Sequence, residues 1–263
     1  MAIHREEKLN SLLSTIPEGV LVPSKWLVQR GYSRQILNGY ARRGWLEQAA
    51  HGVYYKPGSK LDWQSLALGL QHYLNHDLYL GGKTALELQG YAQYLRLGSK
   101  SVIELWGSDH LPGWVTKVSD ELNTDVLRRN KSLFKSSLGQ EFFTDYPSRV
   151  RDWTIRITKP ELAILEVLSL VTHSEASFIH AAELMQGLST LRPKLLNRLL
   201  QSCTHVKTKR LFCFLASYFQ YSWFKHLDLE QVDLGSGKRE VTKGGEYNSE
   251  FQITVPKDYQ SKF

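Results

Sequence analysis

Arg34, Asn38 and Arg42 recur at a spacing of four, with Gln35 beside the first of them. On an α-helix, positions i, i+4 and i+8 share one face. Arginine, asparagine and glutamine are the side chains whose paired donors and acceptors match guanine and adenine edges in the major groove. One exposed helical face carrying them has the chemistry of base readout. Arg34, Gln35 and Asn38 are the candidates for base edges, and Arg42 could read or clamp. An ordinary polar face on a small amphipathic helix has the same composition. Groups suited to backbone phosphate stand on either side: Lys25, Ser33 and Arg43, then His51 and Tyr55, with Tyr54 and Lys56 beside them. Phosphate contacts give affinity and register, while base contacts give sequence choice.

Other chemistry is weaker. Gly81-Gly82-Lys83-Thr84 imitates the end of a phosphate-binding Walker loop, but the position of its first glycine is Asp77, and an acid there repels phosphate. Gly235-Ser236-Gly237-Lys238 fails similarly at Val232; a looser anion-binding turn over Gly235 to Arg239 and a plain strand-connecting turn are its two readings. His72 and His76 are four apart, either a metal edge or a packed histidine pair. Cys203 and Cys213 read as buried small hydrophobes rather than ligands or a bridge. The only Glu-x-Lys, the carboxylate–lysine pair of many metal-dependent nucleases, is Glu6-Glu7-Lys8, on a predicted helix instead of a strand. There is no Gly-x-Ser-x-Gly. No catalytic residue, metal ligand or cofactor is assigned, and the chain reads as a non-enzyme. The alternatives are a DNA-processing enzyme such as a nuclease, or a protein-binding adaptor.

The elements that must position the Arg34 stripe are legible. His4 to Ser14 is predicted as a first helix, broken by Pro17-Glu18-Gly19, and Val20-Leu21-Val22 as a short strand-like link. Ser24 caps a short helix through Gln29, ended by Gly31. Ser33 caps a second helix to Arg43, stopped by Gly44. Ile36, Leu37, Tyr40 and Ala41 repeat at three and four and should face the core. Helix, short glycine turn and second helix make a helix-turn-helix. Trp45 to Gln48 and Val53 to Tyr55, joined through Ala49 to Gly52, are predicted as a hairpin, which would be a wing.

Beyond the hairpin, the pattern predicts a helix over Leu61 to Asn75 and a strand over Asp77 to Leu80. Strands follow over Ser101 to Trp106, Trp114 to Val118 and Trp153 to Ile157. Residues 119–152 are ambiguous, with Leu127 to Asn130 and Ser136-Ser137 readable as loop or strand. A buried apolar helix spans Leu162 to Val171, and further helices lie at about 179–187, 193–203 and 208–226. Strands return from Val232 to Phe263. The aromatic helix Leu211 to Phe224 is expected to be core rather than a stacking platform. The expected fold class is α+β: an N-terminal winged helix-turn-helix domain with following helices over 1–93, then a larger mixed α/β domain over 94–263.

The chain of 263 residues is 42% hydrophobic and 22% charged, enough for packed cores. Two cysteines do not make a disulfide scaffold. The start lacks the apolar core of a signal peptide, and no apolar run is long enough for a membrane span. A cytoplasmic protein without a membrane partner is expected. The net charge of +7 favours a polyanionic partner. Residues 1–60 hold nine Lys/Arg against four acids. The second basic block, 184–227, has no acid and includes Arg192, Lys194, Arg198, Lys207, Lys209 and Arg210. It could extend a DNA footprint, meet a protein or RNA partner, or face solvent only.

Val20-Leu21-Val22-Pro23-Ser24, Leu27, Gly31-Tyr32-Ser33, Tyr40, Arg43-Gly44-Trp45-Leu46 and His51-Gly52-Val53-Tyr54-Tyr55 resemble the opening of the AbiEi family, the abortive-infection antitoxins of type IV toxin–antitoxin systems. The Gly81 to Tyr91 element is similar to one of that family. Leu234 to Arg239, Gly244 to Tyr247 and Phe251 to Pro256 resemble its C-terminal signature, so the resemblance covers nearly the whole chain. It implies a bifunctional antitoxin. The winged helix would bind inverted repeats in double-stranded operator DNA and repress its own operon. The C-terminal domain would counter a cognate nucleotidyltransferase toxin, with no stable complex required.

Overall fold

A computed structural model describes residues 2–91, 100–129, 132–150 and 152–259. The boundary expected between residues 93 and 94, together with Asn130 and Phe263, lies outside them. The chain forms two compact units, interleaved along the sequence: residues 1–80, 96–130 and 145–156 make one, and 81–95, 131–144 and 157–263 the other.

The first unit opens with α1 (Ala2–Thr15), β1 (Val22–Pro23), α2 (Ser24–Gln29), α3 (Arg34–Arg42), β2 (Glu47–Ala50) and β3 (Val53–Tyr55). Leu9 and Leu12 of α1 and Ile16 just after it, three and four apart, are all buried. The three strands pair in the order β1-β3-β2, both pairings antiparallel. This is the order of a winged helix, and the structure is α+β throughout. The first hairpin strand, β2, starts at Glu47, two residues later than predicted. Trp45 is held back by packing on Tyr40, ring centroids 5.5 Å apart, so Ala49 and Ala50 are strand and only His51-Gly52 turns.

α4 (Trp63–Leu68) starts on a capping box in which the Asp62 carboxylate accepts from Gln64 N at 2.7 Å and Ser65 N at 3.3 Å. It widens into a π-helical turn at Gly69–Tyr73, short of the predicted Asn75. A Cβ on Gly69 would sit 2.6 Å from the Leu21 carbonyl oxygen, so only glycine allows this approach. β4 (Leu78–Leu80) pairs antiparallel with β5 (Ser101–Gly107).

Trp114 to Val118, predicted as a strand, belongs instead to α6 (Trp114–Glu121), numbered after α5 (Gly82–Leu88) of the other unit. Val115 and Val118, three apart, are buried, while Thr116 and Lys117 face solvent. The helix also supplies what topology requires: β6 (Thr124–Arg129) runs parallel to β5, and parallel neighbours need a crossover. With β7 (Phe143–Pro147) and β8 (Thr154–Thr158) the sheet order is β6-β5-β4-β8-β7.

The second unit is built around α7 (Pro160–Ser169), with proline in its first turn and every residue buried. α5, α8 (Glu175–Gln186), α9 (Pro193–Ser202) and α10 (Val206–Tyr218) pack with it. The predicted long aromatic helix ends at Tyr218, and Gln220 turns the chain at φ +55° into a 3-10 turn at Ser222–His226. Phe212, Phe214, Tyr218 and Trp223 are buried as core. A small sheet closes the unit, β9 (Arg239–Glu240), β10 (Glu246–Asn248) and β11 (Ile253–Val255), in the order β10-β11-β9.

Candidate nucleic-acid interface

Two glycines set the helix pair. After α2, Gly31 takes φ +86°; its N–H donates to Val28 O at 3.0 Å and that of Tyr32 to Leu27 O at 3.2 Å. The same Schellman pattern ends α3, where Gly44 at φ +73° donates to Ala41 O at 3.1 Å and Trp45 to Tyr40 O at 3.0 Å. Ser33 caps α3, its hydroxyl oxygen accepting from Ile36 N at 3.3 Å.

The two faces of α3 separate. Leu37 and Tyr40 are buried, with Ile36 and Ala41 half-buried. Arg34, Gln35, Asn38 and Arg42 are exposed, as are Lys25, Ser33, Arg43 and His51; Tyr55 is half-buried. Arg42 Nε lies 3.5 Å from Asn38 O, one turn back. The Arg43 guanidinium lies over the Trp45 ring, 5.3 Å from its centroid. Among the described residues no carboxylate pairs with Lys25, Arg34, Arg42 or Arg43. Asn38, Arg42, Gly44, Glu47 and Gln48 line an open concavity between α3 and β2.

The hairpin is held tightly. Gly52 O accepts from Ser24 N at 2.7 Å, pinning the turn to the start of α2. Burial, reinforced by a hydrogen bond to Glu47, pushes the Tyr55 phenol up to about 12, so it stays a neutral donor. Tyr54, grouped in the sequence reading with residues reaching for phosphate, is buried in the middle strand. Its hydroxyl donates to Asn38 Oδ1 at 2.9 Å. Sequence reasoning also missed Arg30, an exposed cation stacked on Trp26 at 3.5 Å. The spacing of four between Trp26 and Arg30 is the signal that could have shown it.

The second basic block is mostly committed internally. Arg192 grips buried Glu161 with Nε to Oε1 at 2.8 Å and Nη2 to Oε2 at 2.8 Å. Burial alone would raise the Glu161 carboxyl, but the Arg192 bonds outweigh it and hold it below the ordinary value. Arg198 pairs with Glu141 at 2.5 Å, and Lys207 donates to Val171 O at 2.5 Å. Lys209 and Arg210 do not belong to a partner surface: each is 2% exposed. Lys209 donates to Asp233 O. Arg210 donates to the carbonyls of Leu234 (2.7 Å), Gly235 (2.9 Å), Gly237 (2.5 Å) and Gln252 (3.2 Å). Lys194 remains exposed.

These contacts explain two imitation motifs. The Gly235–Lys238 loop turns its carbonyls onto a guanidinium, the opposite polarity from an anion site. At Gly81-Gly82-Lys83, the Gly82 N–H donates to the buried carboxylate of Glu166 at 2.7 Å, so an internal acid already lies at that helix start. His72 is a packing residue, its ring stacked on Trp153 at 4.4 Å and Nε2 2.8 Å from Thr154 O. Cys203 and Cys213 are free and buried. Among the described residues no three His, Cys, Asp or Glu side chains cluster to hold a metal, and no helix is long and apolar enough to cross a membrane.

A family model described as transcriptional regulator, AbiEi antitoxin, type IV TA system matches residues 100–256. A second, described as transcriptional regulator, AbiEi antitoxin N-terminal domain, matches residues 5–97. Among solved structures, the chain is similar to the crystal structure of the RV2827C protein from Mycobacterium tuberculosis, with 18% identity, a TM-score of 0.60 and coverage of 94% of this chain and 89% of that one. At that identity the likeness is one of fold. A comparison with curated proteins returned no match. The two models together span the winged helix and the helical unit in order, and the chain belongs to the AbiEi antitoxin family of type IV toxin–antitoxin transcriptional regulators.

Proposed function

We propose that this protein is a cytoplasmic antitoxin that represses its own operon and counters a cognate nucleotidyltransferase toxin. In this reading the winged helix binds inverted repeats in double-stranded operator DNA, and the remainder of the chain acts against the toxin. The observation that carries the DNA half is the division of α3: Leu37 and Tyr40 are buried while Arg34, Gln35, Asn38 and Arg42 face out. Arg34, Gln35 and Asn38 then contact base edges, with Arg42 reading or clamping. Lys25, Ser33, Arg43 and His51 contact phosphate, and Tyr55, whose hydroxyl proton is given to Glu47, joins them by exchanging that acceptor. The toxin half is supported by family membership and by no particular surface patch.

Mobility shifts on the DNA upstream of its own reading frame, against a scrambled duplex, test the assignment. Arg34→Ala should cost about 1–3 kcal/mol on the upstream duplex and relax one position. Lys25→Ala should weaken both duplexes alike and flatten the salt dependence by about one unit. Identical behaviour of the two variants defeats the division of roles. If the reading frame beside its own encodes a nucleotidyltransferase, rescue of growth when the two are co-expressed tests the antitoxin half, and the absence of any rescue overturns it.

A further inference from the structure

Among the described residues, Asn38 is the base-edge candidate whose side chain is held by another part of the fold. Tyr54 lies in β3, the middle strand of the small sheet, opposite Val22 on one side and Gln48 on the other. Its residue exposure is 2%, yet its hydroxyl reaches out of the sheet to Asn38 Oδ1 at 2.9 Å. Asn38 itself remains exposed on α3. We propose that Tyr54 is a positioning residue for sequence readout, fixing the Asn38 amide so that its Nδ2 donors lead toward the base edge. The inference rests on the DNA reading of α3 and deepens it.

The physical case is one of satisfaction. A phenolic hydroxyl has one proton to give, and a buried proton without an acceptor is costly. With Oδ1 toward Tyr54, that proton is satisfied. With the amide flipped, the two Nδ2 protons would face the hydroxyl and its own proton would lose its acceptor. One orientation of an otherwise symmetric-looking amide is therefore selected before DNA arrives. Burial raises the Tyr54 phenol above its ordinary value, so the donor persists across physiological pH. The amide then offers two donors outward, and Oδ1 keeps one lone pair. That arrangement favours a base presenting an acceptor, such as purine N7 or thymine O4, and disfavours one presenting only a donor. An unheld asparagine would sample both orientations and discriminate less. The bond also ties the reading helix to the hairpin, joining residues sixteen apart in sequence.

The test uses the full chain carrying Tyr54→Phe, which keeps the buried ring and removes only the hydroxyl. Binding is measured to the upstream duplex, to its single-pair variants and to a scrambled duplex, beside Asn38→Ala and the double variant. Loss of one positioning hydrogen bond should weaken binding to the upstream duplex by about fivefold. Discrimination should fall at one base pair and its symmetry mate, with the scrambled duplex unaffected. The double variant should be no weaker than Asn38→Ala alone. In the free protein, the side-chain amide resonances of Asn38 should shift and exchange faster in Tyr54→Phe. Equal loss on scrambled DNA, additivity with Asn38→Ala, unchanged discrimination, or unmoved amide resonances each overturn the proposal. If the wild-type protein does not prefer the upstream duplex, the DNA reading falls and the proposal with it. If it does prefer that duplex while Tyr54→Phe behaves as wild type, only the positioning role falls.

Discussion

Arg192→Met separates a structural arginine from a partner-facing one. The guanidinium makes two hydrogen bonds to Glu161, whose side chain is 3% exposed against 52% for Arg192. Removing one partner of a buried pair typically costs about 3–5 kcal/mol. Two features lower that here: Arg192 is half in water, and the backbone N–H of residue 192 still donates to Glu161 Oε1 at 2.9 Å. A cost of about 2–3 kcal/mol at neutral pH is therefore expected. The cost should depend on pH. In the wild type the Glu161 pKa lies below its ordinary 4.5, so its stabilisation is present above that value and is lost as pH falls through the folded pKa. Without the Arg192 side-chain bonds, only the backbone N–H donors oppose burial, so the folded pKa rises from its wild-type position and protonation relieves the variant. The difference between the two proteins should be largest at pH 7 and close on acidification below pH 4.5. Urea unfolding followed by circular dichroism across that range measures it. A variant as stable as wild type at pH 7, but unable to protect cells from the toxin, would refute the structural assignment and return Arg192 to a partner surface.

Arg210→Met should release the C-terminal sheet, because four carbonyl oxygens from residues 234–252 lose their common donor; limited trypsin digestion should cut near residue 238 in the variant first. Gly52→Ala should lower the melting temperature and weaken binding to every duplex, since a Cβ there meets Ser24 Oγ at 2.8 Å with φ at +72°, a conformation that costs about 1–3 kcal/mol. Gly107→Ala should abolish soluble expression, as its Cβ would lie 1.8 Å from the Asp77 carbonyl oxygen at φ +126°; a soluble variant with wild-type circular dichroism would contradict the packing of β4 on β5.

What was legible in the amino-acid order was local. The Ser33 cap and the Gly31 and Gly44 stops act within a few residues, and the apolar spacing of Leu37 and Tyr40 shows one face of α3. The hairpin start was displaced because Trp45 spends its ring on Tyr40, a contact that type and period do not reveal. Trp-Val-Thr-Lys-Val suits a strand by propensity, but the parallel pairing of β5 and β6 requires a crossover there, and pairing direction is not written in a five-residue window. Lys209 and Arg210 read as surface because basic residues usually are. Their partners are backbone carbonyls 24 to 42 residues away, which carry no residue-type signal. Tyr54 was hidden for the same reason: its ring fits a strand pattern, and its role depends on a hydroxyl reaching a different element.

Charge bookkeeping ties these findings to the proposed operator. Of a net +7, residues 1–60 supply +5, nine cations less four acids. In the second block Arg192 and Arg198 face carboxylates, and Lys209 and Arg210 are sunk onto carbonyls. Among the described residues, the outward cations with no carboxylate partner therefore include Lys25, Arg34, Arg42 and Arg43, on or beside two short helices. The same small face must then supply both the phosphate term and the base term of any DNA complex. A nine-residue helix is about 13 Å long, and a single small module buries roughly 600–1,000 Å² on DNA. One such face is a modest specific binder. Under the proposed reading, two copies, each taking one half-site on the same face of a duplex that turns about every 34–36 Å, would double both terms on one DNA molecule, and an inverted repeat would serve this surface better than a single site.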